Sequence, residues 1–311
     1  MDVSSIKKKI EKLDPKILGL NKIKINSFKK LGMGYSNLNY LADISGKLFN
    51  CRINLDQGSS SNLKNEFNNL KLIEKLGISA KPYYLSKNFM LIEYIKGKNF
   101  PRNSTKYLSK DVKNFARTVS ILHNSNIKKE VANERWINHF KSRINYYLKS
   151  MDNLNKETLK KMLKIIEAKV ELIKKHPYCL IHFDLSRENI VNTGKEIKLI
   201  DLEDLCYSDA GVDLGQLINC FFFKEKDIKV FMQEYKTSDK DLFRRVKIYG
   251  EILAFHDFVW SLDAIASIKN GKMSEEKLRY HPLKDRIYVA RKKFNQLKKM
   301  KVISNNLKFD F

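Results

Sequence analysis

The sequence predicts an α+β chain in two lobes: residues 1–98 as a small antiparallel β lobe with a leading helix, and residues 99–311 as a larger, mainly helical lobe. Three observations predict it. From about Ile23 to Ile53, short alternating apolar runs are broken by Gly32, Gly34 and Gly46, the pattern of antiparallel strands joined by tight turns. Beyond Asn99 the apolar spacing becomes helical, over about 109–125, 133–150, 155–175, 211–222, 226–235, 239–269 and 284–298. One island, Tyr178–Leu205, interrupts those helices with short apolar runs and polar turns.

The elements follow in order. Ile6, Ile10, Leu13 and Ile17 recur at helical spacing, so residues 1–20 read as a short amphipathic helix. Residues 62–76 return to helical periodicity after the first strands and stop at Gly77. Strand-like runs at Tyr83–Leu85 and Phe89–Tyr94 lead into Lys96-Gly97, a short connector to the helical part. No internal repeat or low-complexity linker breaks this plan. A cleft between two lobes is where a small ligand is expected.

Composition narrows the function classes. Across 311 residues, 43% are hydrophobic and 11% aromatic, which excludes a disordered chain. The longest strongly apolar stretch falls far short of the ~20 residues a membrane span needs. The first residues, Met-Asp-Val-Ser-Ser-Ile-Lys-Lys-Lys, lack the apolar core of a signal peptide. Cys51, Cys179, Cys206 and Cys220 form no C-x-x-C pair and read as reduced thiols, so a cytoplasmic protein is expected. The net charge of +25 raises nucleic acid as a partner, but only 11 of the 60 basic residues are Arg and the lysines are spread throughout. Nucleic-acid surfaces cluster their charge and favour Arg, so no specific nucleic-acid partner is expected. A solvated Lys-rich surface, or steering of an anionic ligand such as a nucleotide, fits better. A basic binding protein without catalysis remains the reading of a different class.

The island carries the chemistry. His182-Phe183-Asp184 is followed by Asn189, and Lys198-Leu199-Ile200-Asp201-Leu202-Glu203 comes next. Phosphoryl transfer needs a group that orients or deprotonates the attacking hydroxyl, and oxygen ligands for Mg²⁺ on the nucleotide phosphates. Asp184 can fill the first role, and Asn189 with Asp201, at the end of an apolar strand, can supply hard oxygen ligands. His182 on its own reads as readily as a buried, hydrogen-bonded histidine. Upstream, Gly32-Met33-Gly34-Tyr35-Ser36-Asn37 lies between two strands. Gly34, Ser36 and Asn37 could bring backbone amides and a hydroxyl to phosphates, though a plain hairpin turn explains G-x-G equally well. Arg52 sits among apolar neighbours and needs a partner, which Glu66 on the next helix can be. Such a pair would set a fixed cation above the phosphates. Around Glu93 and Ile95, the strand entering the connector can offer backbone groups to a purine edge.

Together these residues resemble the choline/ethanolamine kinase and aminoglycoside phosphotransferase superfamily, whose fold is protein-kinase-like. The resemblance runs over about 25–295 and includes His182-x-Asp184-x-x-x-x-Asn189, Ile200-Asp201-Leu202-Glu203 and Asp213-Leu214-Gly215. Arg at position 52 and Glu203 look more like the choline kinase branch, including its LicA-type members. The resemblance implies ATP and Mg²⁺ as cofactors, Asp184 as catalytic base, and Asn189 with Asp201 as metal ligands. It places Arg52 on the ATP phosphates, and Glu203 and Trp260 at the acceptor pocket. Two positions depart from the branch: Asp204 stands where an aromatic is usual, and Asp263 where a second tryptophan is common. Carboxylates reward N–H donors, which a quaternary ammonium lacks, so ethanolamine or an amino sugar competes with choline. The expected acceptor is a small amine-bearing alcohol; an aminoglycoside is the alternative within the same chemistry.

Overall fold

A computed structural model describes residues 3–33, 37–54, 60–100, 107–129, 136–151, 154–173, 176–221, 223–273 and 282–311. They form two compact units: residues 1–130, 179–207 and 224–236, and residues 131–178, 208–223 and 237–311. The N-terminal region holds an antiparallel sheet and the C-terminal part is helical, the α+β class that the sequence predicts.

In the first unit, helix α1 (Val3–Glu11) buries Ile6 and Ile10 beneath the sheet. Burying two isoleucines contributes roughly 1.5–3 kcal/mol each. The helix does not run through residue 20 as the spacing suggests. Pro15 cannot donate to a preceding turn, and Asp14 Oδ1 accepts Lys16 N–H at 2.9 Å to cap a short 3₁₀ turn, Pro15–Leu18. Leu18 is buried, but Ile17 is left 42% exposed, so Ile17 is not part of the apolar face.

Strands β1 (Ile25–Met33), β2 (Asn37–Ile44) and β3 (Lys47–Asn54) form an antiparallel meander. Ser45 and Gly46 join β2 to β3 with φ of 52° and 87°, the left-handed pair a two-residue hairpin favours. Strands β4 (Pro82–Leu85) and β5 (Phe89–Glu93) complete the sheet in the order β1-β2-β3-β5-β4. Alternation on β3 decides where its side chains go. Phe49, Cys51 and Ile53 enter the core with α1, which leaves Arg52 on the opposite face.

Helix α2 (Ser60–Ile73) buries Leu63, Phe67, Leu70 and Ile73, and also two polar residues, Glu66 and Asn69. A 3₁₀ turn follows and ends at Gly77, whose φ of 66° closes it. After β6 (Lys98–Asn99) comes α3 (Ser109–His123), which packs on α7 (Glu225–Tyr235) through an edge-on contact of Phe115 with Phe231. Strands β8 (Ile190–Asn192) and β9 (Ile197–Leu199) form a hairpin beside β6. Gly97 lies against that hairpin: a Cβ there would sit 2.5 Å from Val191 Cγ1 and 2.6 Å from Asn192 O.

Strands β7 (Tyr178–Ile181) and β10 (Cys206–Asp209) pair in a short ribbon. The second unit is built from α4 (Trp136–Ser150), α5 (Lys156–Glu171), α6 (Ala210–Asn219), α8 (Leu242–Lys269) and α9 (Leu283–Lys299). The long α8 packs against α4, α5, α6 and α9. Its approach to α6 depends on glycine, because a Cβ on Gly215 would come within 2.9 Å of Gly250 N and Tyr249 Cβ. Phe258, Phe294, Phe309 and Phe311 gather at the far end of the core. Among the described residues no helix is long and apolar enough to cross a membrane.

Candidate active site

Strand β7 leads its buried Leu180 and Ile181 directly into His182 and Asp184. His182 is fully buried, and its Nε2 lies 2.9 Å from Ile200 O. The next residue, Phe183, has a φ of 74°, which an L residue adopts only when its surroundings impose it. That turn is followed by Asp184, whose carbonyl accepts from Ser186 N–H at 2.8 Å.

A 3₁₀ turn, Arg187–Asn189, then brings Asn189 back. Its Nδ2 donates to both Asp184 O and Asp184 Oδ2 at 2.9 Å. Both amide hydrogens are thereby directed at Asp184, and Oδ1 is left as the free oxygen of this buried side chain among the described residues. Asn189 O also accepts from Ile200 N–H at 2.9 Å, so the loop and the end of the β8–β9 hairpin are fastened together.

Asp201 follows that hairpin with a φ of 64° and a side chain 31% exposed. Arg52 reaches it from β3: Nη2 lies 2.6 Å from Asp201 Oδ1, and Nη1 lies 2.6 Å from Glu66 Oε1. Burial alone would lower Arg52, but the carboxylates of Glu66, Asp201 and Glu203 outweigh it and hold the guanidinium protonated. Burial pushes Glu66 upward, opposed by Arg52. Its Oε2 is buried and accepts no hydrogen bond among the described residues. Glu203 is pushed up to about 7, first by burial and then by Asp201, with Arg52 opposing and Asp204 and Asp184 adding. Its Oε2 is also buried without a donor among the described residues, while Asp204 is exposed.

The donor chemistry fits Mg²⁺. That ion takes one or two protein carboxylates, phosphate oxygens and waters rather than a full protein cage. Asn189 Oδ1 and Asp201 are hard oxygen donors of this kind. Among the described residues no group of three or more His, Cys, Asp or Glu side chains is arranged as a metal cage.

A model of the phosphotransferase enzyme family matches residues 27–249. The chain belongs to that family. A search of curated protein sequences finds no match. Solved structures share the fold of this phosphotransferase at low identity. A choline/ethanolamine kinase family protein from Mesorhizobium loti superposes with a TM-score of 0.70 at 19% identity, covering 98% of this chain and 96% of the other. Choline kinase LicA from Streptococcus pneumoniae gives a TM-score of 0.64 at 20% identity, covering 95% and 99%. The ADP-bound aminoglycoside phosphotransferase APH(2'')-Ib gives 0.65 at 19% identity, covering 94% and 100%. The kinase-like expectation for the fold is met, and both branches named from the sequence are represented.

The first unit of the phosphotransferase thus assembles Arg52, Glu66, Asp184, Asn189, Asp201 and Glu203. Asn37, at the start of β2, is buried, while Gly34 and Ser36 lie outside the described residues. Glu93 ends β5, and its carboxylate Oε2 accepts Lys81 N–H at 3.2 Å; Ile95 follows, partly buried. Trp260 and Asp263 belong to the second unit, on α8. There Arg286 lies over the Trp260 ring at 5.2 Å, and Arg143 Nη1 is 2.6 Å from Asp263 Oδ2. Two residues that no motif marks, Asn69 and Lys129, also touch the segment Asp201–Leu205. Asn69 Nδ2 donates to Leu202 O at 2.6 Å, and Lys129 Nζ donates to Asn69 Oδ1 at 2.6 Å. Asn69 lies three positions after Glu66 on one helix, a spacing that puts both on the same face.

Proposed function

We propose that this phosphotransferase carries the γ-phosphate of ATP to the hydroxyl of a small amine-bearing alcohol of the choline or ethanolamine class. The observation that carries the reading is the Asp184–Asn189–Asp201 cluster, with Arg52 bridging Asp201 and Glu66. In the proposed reaction Asp184 orients the acceptor hydroxyl and takes its proton as the oxygen bonds to the γ-phosphorus. The bond from phosphorus to the β–γ bridging oxygen breaks, and ADP leaves with that electron pair. Arg52 offers a fixed positive charge on the phosphate side, and Glu66 holds it there. Asn189 and Asp201 would hold Mg²⁺, which neutralises phosphate charge when bound.

Gly34, Ser36 and Asn37 are proposed for the phosphates, and the backbone at Glu93 and Ile95 for the base. In functional terms, residues 1–98 form the nucleotide lobe and residues 99–311 the lobe of catalysis and acceptor choice. Cys51, Cys179, Cys206 and Cys220 are thiols rather than disulfides, and a cytoplasmic enzyme is proposed.

For the acceptor, Glu203, Asp204, Trp260 and Asp263 are proposed. Glu203 puts a carboxylate within electrostatic reach of Asp184, with Asp204 close enough to Glu203 to add to its charge. Arg286 already covers a face of Trp260, a place where a quaternary ammonium would otherwise sit. Both features favour a primary amine over choline. An aminoglycoside is the second reading, supported by the similarity to aminoglycoside phosphotransferases and by the value of amine donors at the same carboxylates.

An ATP-consumption panel over choline, ethanolamine, related amino alcohols, methylthioribose and aminoglycosides tests this. We expect turnover with amino alcohols, ethanolamine at least matching choline. Turnover confined to kanamycin-type sugars would overturn the acceptor. Salt-sensitive nucleic-acid binding without ATP turnover would favour a non-catalytic basic protein.

A further inference from the structure

The segment Asp201–Leu205 lies between β9 and β10 without helix or strand, so its carbonyls lack the partners that regular structure supplies. It also begins at a left-handed aspartate, a conformation that costs ~1–3 kcal/mol and persists only where neighbours over-determine it. Side chains from two other parts of the unit reach its carbonyls, and His182 Nε2 lies 2.9 Å from Ile200 O just before it. Asn69 Nδ2 donates to Leu202 O at 2.6 Å and to Glu203 O at 3.3 Å. Lys129 Nζ donates to Leu205 O at 2.5 Å and to Asn69 Oδ1 at 2.6 Å.

We infer that Asn69 and Lys129 are positioning residues that hold the Asp201–Leu205 loop in its metal-binding conformation and join it to helix α2. The inference rests on the assignment of Asp201 to a metal–nucleotide complex. Asn69 is 3% exposed, and the contacts use its amide from both ends: the nitrogen donates into the loop and the oxygen receives Lys129. Its helix also carries Glu66, which with Arg52 fixes the Asp201 carboxylate. One helix therefore fixes Asp201 twice, by its side chain through Glu66 and Arg52, and by the following backbone through Asn69. Lys129 closes the frame, because it grips the far end of the loop and aligns the amide that grips the near end. A shift of α2 would move both restraints together.

The test is calorimetric binding of a non-hydrolysable ATP analogue with and without Mg²⁺, alongside hydrogen exchange of the 202–205 amides. Neither readout needs an acceptor. Asn69→Leu should weaken Mg²⁺-dependent binding about tenfold, the scale on which groups behind metal ligands act, while Mg²⁺-free binding stays within about twofold. Exchange at 202–205 should accelerate. Asn69→Asp keeps an oxygen for Lys129 but cannot donate to Leu202 O, so it should behave as Asn69→Leu does. Lys129→Met, at a half-buried position, should show a smaller loss, and the double variant less than the sum. If Asn69→Leu does not fold, Lys129→Met still carries the prediction. Unchanged Mg²⁺ dependence and exchange in a folded variant overturn the inference, as does an equal loss with and without Mg²⁺. Absence of Mg²⁺-dependent nucleotide binding in the unaltered protein would instead overturn the assignment of Asp201 and the proposed function with it.

Discussion

Each unit contains an arginine set between two acids, and the two clusters are finished differently. In the second unit Arg245 is 4% exposed, with Nε 2.7 Å from Asp209 Oδ2 and Nη2 2.6 Å from Asp239 Oδ2. Asp209 is fully buried, and its Oδ1 also takes Gly211 N–H at 2.9 Å, capping α6. In the first unit, Arg52 bridges Glu66 and Asp201 at equal distances, yet Glu66 and Glu203 each keep a buried oxygen that no described donor reaches. Asp201 is part-exposed on a left-handed backbone, and burial beside other carboxylates raises Glu203. A closed network holds a fold together. An open and strained one, with carboxylates held above their ordinary range, has capacity left for a ligand.

That difference can be broken at either end. Removing the carboxylate nearest the proposed chemistry has the largest expected effect: Asp184→Asn should lower kcat about 10³-fold or more, as losing a general base does, with thermal stability nearly unchanged. Substrate-saturated initial rates and a melting curve check it. Arg245→Met should do the reverse. It strands the buried Asp209 and should cost about 3 kcal/mol of unfolding free energy, read by chemical denaturation, while the folded fraction keeps its specific activity.

Gly215→Ala tests the helix pair beside the closed cluster, where a Cβ meets Gly250 N at 2.9 Å. Overpacking there should cost roughly 1–3 kcal/mol, again without a change in specific activity. The smallest effect concerns His139, which stacks on His256 at 5.4 Å and accepts from Arg143 Nε at 2.8 Å. Burial, then Arg143 and His256, lower it from 6.5 to about 4. Between those values the unfolded chain binds a proton that the folded protein refuses, so stability is lost as pH falls through that window. His139→Gln, which cannot titrate, should show a shallower fall in melting temperature between pH about 6.5 and 4. An unchanged slope would count against that assignment.

The parts of this site that the sequence reveals are those whose chemistry is local. Asp184, Asn189 and Asp201 fall within eighteen consecutive residues, and their spacing is set by one strand–turn–hairpin path. Arg52 is legible because a cation between apolar neighbours on a strand demands a partner. Asn69 and Lys129 are not, since they act on backbone carbonyls far along the chain and no residue pattern marks a carbonyl in need of a donor. The closed cluster is silent for the same reason: Asp209, Asp239 and Arg245 meet by packing, without a motif. At the N-terminus two signals in the chain conflict, and proline prevails over periodicity. Ile17 continues a helical spacing that Pro15 ends.

The most direct measurement compares one isosteric change in the two clusters, Asp201→Asn and Asp209→Asn, by kcat and melting temperature on the same preparations. Asparagine tolerates the left-handed backbone at 201 and can still accept from Arg52, so that variant should fold as stably as the parent and lose about 10³-fold in kcat. At 209 the change removes a charge that the buried Arg245 needs, so melting should fall by several degrees while the folded enzyme turns over at its usual rate. If Asp201→Asn retains phosphoryl transfer, or if Asp209→Asn abolishes it without loss of stability, the distinction between the open and the closed cluster is wrong.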